Sequence, residues 1–311
     1  MSRIHEALRK AAQENIERPR PSETRDERYS QMFEKAPPSA TALVETVEPE
    51  EVELDEFNQI IRNAREVAFD PANGSLLVNP AKPREAPSEE FRSLRTRLNH
   101  LQTLQSLHTL VVTSASPAEG KSFTAANLAI TQAQLSEKRV LLADFDLRRP
   151  NVHTALQIDS SPGVTDYLAG QAAMEDVVRK VAGMNLWLMT AGESVPNPLE
   201  LLNLKECKNL IDQLRTHFDW VILDTPPLLS AADANLLATM CDGTILVVRI
   251  GTTTYDAVTR ALQSLCENNV LGVVVNGSPH GDLGKYSYQY GYDSGEQGKR
   301  TQTEAGTLYW V

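Results

Sequence analysis

The chain has 311 residues, with 41 acidic against 30 basic side chains and a formal net charge of −11 at pH 7. That length suits one large domain with appendages, and the acid excess argues against nucleic acid as a partner, because counterion release needs clustered Lys and Arg. No apolar run approaches the roughly 20 residues that cross a bilayer, the N-terminus lacks a secretory core, and Cys207, Cys241 and Cys266 have neither metal nor disulfide spacing, so a reducing, cytoplasmic setting is expected.

In chain order, residues 1–16 read as a short amphipathic helix, with Ile4, Ala7, Leu8 and Ala11 on one face. Residues 17–85 read as a disordered linker. Nine of the seventeen prolines precede residue 90, and 45–56 carry seven acids and no base. Such a stretch buries too little apolar surface to offset chain ordering, although a short helix is expected through 55–66. From residue 86 the pattern changes. Ser88 reads as a cap before Glu89, Glu90 and an apolar stripe through Phe91, Leu94 and Leu98. Apolar runs at 109–113, 139–143, 186–190, 219–223, 243–248 and 270–276 then alternate with helical patterns. Strands separated by helix-length segments predict an α/β fold, a mostly parallel sheet with helices on both faces, over 86–281. Residues 282–311 read as a flexible tail with nothing resembling a core strand.

The motifs lie at strand ends. Ala115-Ser116-Pro117-Ala118-Glu119-Gly120-Lys121-Ser122 follows the first strand and opens a helix at Phe123. In such a loop the amides of 118–123 surround phosphate, Gly120 lets the backbone approach, Lys121 neutralises the β- and γ-phosphates of ATP, and the Ser122 hydroxyl ligates Mg²⁺. Ala115 stands where a first glycine is usual. Asp144 and Asp146 end the next strand and, two apart, share a face, so one can hold metal and the other accept a proton from an incoming hydroxyl. The alternative is an acid pair that merely caps Arg148 or Arg149. Asp224 ends the strand Trp220–Leu223, where it either holds a water on Mg²⁺ or only caps a helix.

Together Ala115–Ser122, Leu141–Arg148 and Val221–Pro226 resemble the bacterial protein-tyrosine kinases of capsule and exopolysaccharide loci, which are phosphate-loop NTPase-like proteins. The resemblance covers about residues 86–292 and extends to Arg148–His153, Gly163–Leu168, Ala191–Leu202, Leu246–Arg249 and Gly272–Asn276. The opening decapeptide is similar to members encoded without a fused membrane region. Septum-placing and chromosome-partitioning ATPases, the main rival class, carry a lysine where this chain has Ser116. Two alternatives stay open, an ATPase switch without tyrosine transfer and a nucleotide-binding scaffold.

The resemblance implies Mg·ATP as the phosphoryl source, with Lys121, Asp144, Asp146 and Asp224 catalytic and Ser122, Asp146 and Asp224 around the metal. Glu89, Arg92 and Arg95 match a helix implicated in contacts within a ring of subunits. Tyr286, Tyr288, Tyr290 and Tyr292, half of the eight tyrosines, would be acceptors presented to a neighbouring subunit, with Tyr309 as a further one. Phosphates there would repel one another and release the tail. The implied process is exopolysaccharide synthesis or export at the inner face of the membrane. Its partners would be the cytosolic segment of a membrane co-polymerase and a phosphotyrosine phosphatase.

Overall fold

The computed structural model describes residues 49–72, 76, 78, 87–265, 270–278 and 307–310. The helix expected at 2–14, the start of the linker, Cys266 and Tyr286, Tyr288, Tyr290 and Tyr292 lie outside the described residues. The chain divides into two units, 1–56 and 57–311. Of the first, 49–56 are described, as the opening turns of helix α1 (Pro49–Asn63). Of the acids read as a mark of disorder, Glu50, Glu51, Glu53, Asp55 and Glu56 stand in the first half of this helix, where its dipole favours negative charge.

In the second unit, helices and strands alternate much as their apolar patterns predict. After β1 (Arg65–Val67) come α2 (Pro87–Leu104), β2 (Thr109–Ser114), α3 (Lys121–Ala133) and β3 (Val140–Asp144). Three short helices, α4 (Val152–Leu156), α5 (Val164–Leu168) and α6 (Met174–Val177), lead to β4 (Arg179–Val181) and β5 (Leu186–Met189). Then follow α7 (Pro198–Leu202), α8 (Lys205–His217), β6 (Trp220–Asp224), α9 (Asp233–Met240), β7 (Gly243–Arg249), α10 (Tyr255–Ser264), β8 (Val270–Ser278) and β9 (Thr307–Trp310). Helix α2 starts at Pro87, a residue suited to a first turn because it lacks a donor, so Ser88 lies within the first turn and not ahead of it.

The nine strands form one sheet in the order β1-β4-β5-β3-β6-β2-β7-β8-β9. The run from β5 to β8 is parallel, while β4 pairs antiparallel with β5 and β9 antiparallel with β8. Alternation along the central strands fills two cores. Leu110, Val112, Val140, Leu142, Trp220 and Ile222 face one; Val111, Leu141, Ala143, Val221 and Leu223 face the other. Each such side chain contributes about 2 kcal/mol through burial. Trp220, fully buried, also satisfies its indole by donating to Asn99 Oδ1 at 3.0 Å.

The folded unit begins well before the expected boundary at 86. Phe57, Ile61 and Ala64 pack in the second core, whereas Phe69, Leu76 and Val78 pack against the first. The chain therefore passes around the β1 edge, and the Val78 amide donates to Asn127 Oδ1 on α3 at 2.9 Å. The C-terminus differs too. Thr-Leu-Tyr-Trp at 307–310 forms β9, with residue types that favour strands, where a tail without strands was expected.

Candidate active site

Strand register assembles the site. Asp144 at the end of β3 lies opposite Asp224 at the end of β6, and Asp224 lies opposite Val112 near the end of β2, from which the phosphate loop departs. The carboxyl ends of neighbouring parallel strands are where open α/β sheets bind ligands.

The loop keeps its form through backbone conformation and distant braces. Ala118 and Gly120 are left-handed, at φ 63° and 96°. Ala115 is not among the described non-glycine residues with positive φ, so an alanine there needs none of glycine's freedom. A Cβ on Gly120 would stand 2.0 Å from Asn276 Nδ2. That carboxamide donates to the Glu119 carbonyl at 3.1 Å. The Glu119 carboxylate, almost wholly buried, accepts the Ser116 amide at 2.9 Å and the Thr253 hydroxyl, and Arg249 Nη1 donates to the Ala118 carbonyl at 3.3 Å.

Lys121 opens α3 and is the hub. Its Nζ lies 2.7 Å from Asp146 Oδ2, 3.4 Å from Asp224 Oδ1 and 3.1 Å from Ser122 Oγ. Strand β3 ends at Asp144, yet its alternation continues, with Phe145 and Leu147 buried in the second core. Asp144 and Asp146 accordingly point away from that core, as their spacing predicts. Both oxygens of Asp144 accept backbone amides: Oδ1 from Asp146 at 3.1 Å, Oδ2 from Asn151 and Val152 at 3.0 Å each. Asp146 Oδ1 accepts the Arg149 amide at 3.0 Å, so the capping alternative describes one oxygen of this pair while the other faces Lys121.

Three carboxylates surround one ammonium in a buried place. Burial, followed by the Asp224 charge, pushes Asp144 up to about 8 despite its three amide donors and Lys121. Burial also raises Asp224, against the pull of Lys121 and Ser122. For Lys121, burial opposes the charged form, but Asp224 and Asp146 outweigh it and hold its pKa above the ordinary lysine value.

Asp224 Oδ2 is buried with no hydrogen-bond partner. A divalent cation beside it, with Ser122 and Asp146 in reach of the same ammonium, answers both that orphaned oxygen and the excess of negative charge. Among the described residues, no group of three or more His, Cys, Asp or Glu side chains is arranged to hold a metal alone. Mg²⁺ commonly takes one or two carboxylates plus phosphate oxygens, so the donor set fits it with a nucleotide.

The other expected residues fall elsewhere. Glu89 pairs with Arg92 within α2, Arg95 donates to the Thr131 carbonyl of α3 at 2.8 Å, and Arg92 Nη2 is buried without a partner. Tyr309 stands in β9 opposite Val275. Burial pushes the Cys207 and Cys241 thiols up to about 12, in keeping with unreactive core residues. The bracing roles of Glu119, Thr253 and Asn276 escaped the sequence reading. Asn276 carried a usable signal, a polar residue closing an apolar strand, as Asp144 and Asp224 do.

Residues 110–267 match the AAA domain family. The tyrosine-protein kinase YwqD of Bacillus subtilis (strain 168) is 39% identical over 213 residues, 68% of this chain and 88% of that protein. The tyrosine-protein kinase Wzc of Salmonella typhimurium is 34% identical over 227 residues, 71% of this chain but 31% of that longer protein. The kinase domain of the Escherichia coli tyrosine kinase ETK superposes with a TM-score of 0.62 at 32% identity, covering 68% of this chain and 82% of that one. With a braced phosphate loop, a buried lysine among three acids and relatives of this kind, the chain belongs to the bacterial protein-tyrosine kinases.

Proposed function

We propose that this kinase transfers the γ-phosphate of Mg·ATP to tyrosine hydroxyls, chiefly Tyr286, Tyr288, Tyr290 and Tyr292 of a second copy. The observation that carries the reading is Lys121, held between Asp146 and Asp224 at the start of α3. The amides of 118–123, with Phe123 in the first turn, bind the phosphates at the helix N-terminus. Lys121 neutralises charge that develops on the transferred group. Ser122, Asp146 and Asp224 hold Mg²⁺, which supplies charge neutralisation across the phosphates. Asp144 accepts the tyrosine proton: its Oδ1 takes a single amide and keeps a lone pair, and its basicity is raised toward the working pH.

Tyr309, in β9 at the sheet edge, would be a further acceptor. Glu89, Arg92 and Arg95 of α2 would contribute the contacts within a ring of subunits. No described helix is long and apolar enough to cross a membrane. The proposed process is polysaccharide synthesis or export, with a membrane co-polymerase whose cytosolic segment recruits and activates the kinase and a phosphatase that reverses the modification.

The test incubates purified protein with Mg·ATP, with and without such a cytosolic segment, and probes for phosphotyrosine. Replacing the four clustered tyrosines with Phe removes most labelling, and mixing a Lys121→Ala chain with a four-Phe chain restores it on the former. Phosphate released to water with no labelled tyrosine would overturn the reading in favour of an ATPase switch.

A further inference from the structure

Beyond Lys121, one side chain joins the loop that carries Asp146 to a separate helix. Arg148, two residues after Asp146, grips Asp233 through two parallel hydrogen bonds, Nε to Oδ2 at 2.7 Å and Nη2 to Oδ1 at 3.0 Å. Asp233 is the first residue of α9 and its side chain is fully buried, while that of Arg148 is 43% exposed. Neither residue hydrogen-bonds or ion-pairs with Lys121, Ser122 or Asp224.

The geometry points to Asp233 and Arg148 as positioning residues that hold Asp146 in place as a magnesium ligand. The loop is tied at its two ends by Asp144, which takes the amides of Asp146, Asn151 and Val152. Phe145 and Leu147 anchor its other face in the core. Asp146 Oδ1 itself accepts the Arg149 amide at 3.0 Å, so a fork on Arg148 holds the residue next to the one that ties Asp146, and a bidentate guanidinium–carboxylate fork fixes direction as well as distance. A surface ion pair contributes little to stability. A pair with one fully buried partner, two residues from a proposed metal ligand, instead sets the orientation of that ligand, as groups behind a metal's immediate ligands commonly do. Arg148 also places positive charge where Asp146 feels it.

This inference rests on the proposed function, because it takes Asp146 as a magnesium ligand. The experiment measures ADP binding to the full chain by calorimetry, without magnesium and across a magnesium titration, for wild type, Arg148→Ala, Asp233→Asn and the double variant. Each single variant is expected to need about tenfold more magnesium for half-maximal enhancement of ADP binding. Magnesium-free ADP affinity stays at the wild-type value, since the phosphate loop is intact. The double variant matches the singles, because both remove the same contact, and it also relieves the unpaired buried charge that Arg148→Ala leaves at Asp233.

A lowered thermal midpoint with an unchanged magnesium requirement would overturn the proposal and make the pair purely structural. So would a double variant whose effect is the product of the singles. If wild-type ADP binding shows no magnesium dependence at all, the assignment of Asp146 to the metal is wrong, and that outcome is read from the wild type before any variant.

Discussion

The phosphate loop at 115–122 and the acid loop at 144–152 meet at Lys121, but they are kept in shape differently. The first relies on backbone conformation and on partners from β7, β8 and the turn between β7 and α10: Arg249, Asn276 and Thr253. The second relies on its own first carboxylate, which gathers three amides. One loop is held by shape and the other by charge. The loop held by shape carries the cost of a left-handed Ala118. A loop held by charge senses pH, cation and phosphate, because each alters what its carboxylates prefer.

The largest effect sharpens the point where the loops meet. Lys121→Ala is expected to lower tyrosine phosphorylation about 100- to 1000-fold, the scale for losing a charge that stabilises a transition state, measured as initial phosphotyrosine formation. Next, Gly120→Ala attacks the loop held by shape, where a Cβ would collide with Asn276 and φ is 96°. It is expected to cost about 2–3 kcal/mol of stability in denaturant titrations, and adding Asn276→Ala recovers part of that loss. Full stability in the single variant would show that the brace is dispensable.

The third prediction concerns the loop held by charge. In nucleotide- and metal-free protein, Asp144 in the fold is pushed up to about 8, above the roughly 3.9 of an unfolded aspartate. A raised carboxyl favours the folded state below the unfolded value, and that advantage is lost as pH rises through the folded value. The thermal midpoint is therefore expected to fall between about pH 4 and pH 8, with Asp224, Asp146 and Lys121 facing the same group. Asp144→Asn flattens that slope, and Mg·ATP raises the midpoint above pH 7; an equal slope in wild type and variant would break the comparison. The smallest effect is Ala118→Gly. It removes left-handed strain but adds unfolded-state entropy, so stability moves by about 1 kcal/mol or less and activity is retained.

Which parts were legible in the sequence follows from the same distinction. The central strands announced themselves as apolar runs because both their faces are buried, and Asp144, Asp146 and Asp224 stood out as acids closing those runs. Strands β1 and β4, Arg-Glu-Val and Arg-Lys-Val, carry no such run; their pairing is set by the sheet they join. Acidic 49–56 looked like linker because charge along a helix start resembles charge in a coil. The braces of the phosphate loop were hidden by distance, since Thr253 and Asn276 lie 134 and 157 residues from the partners they hold. Of the two, Asn276 alone left a local mark, as a polar residue closing an apolar run.

Ser278 and Thr307 face each other across β8 and β9. The 28 residues between them, which contain all four clustered tyrosines, therefore begin and end at one point of the sheet, on the strand whose Asn276 supports the nucleotide loop. A tether fastened at both ends has the reach of its shorter arm. From Ser278 that arm spans about 28 Å to Tyr286 and about 48 Å to Tyr292 at full extension, lengths that fastening at Thr307 leaves unchanged. The C-terminal strand thus gives the segment that carries the proposed acceptors a second point of attachment, on the strand next to β8, and bounds how far any of them can stand from the sheet edge.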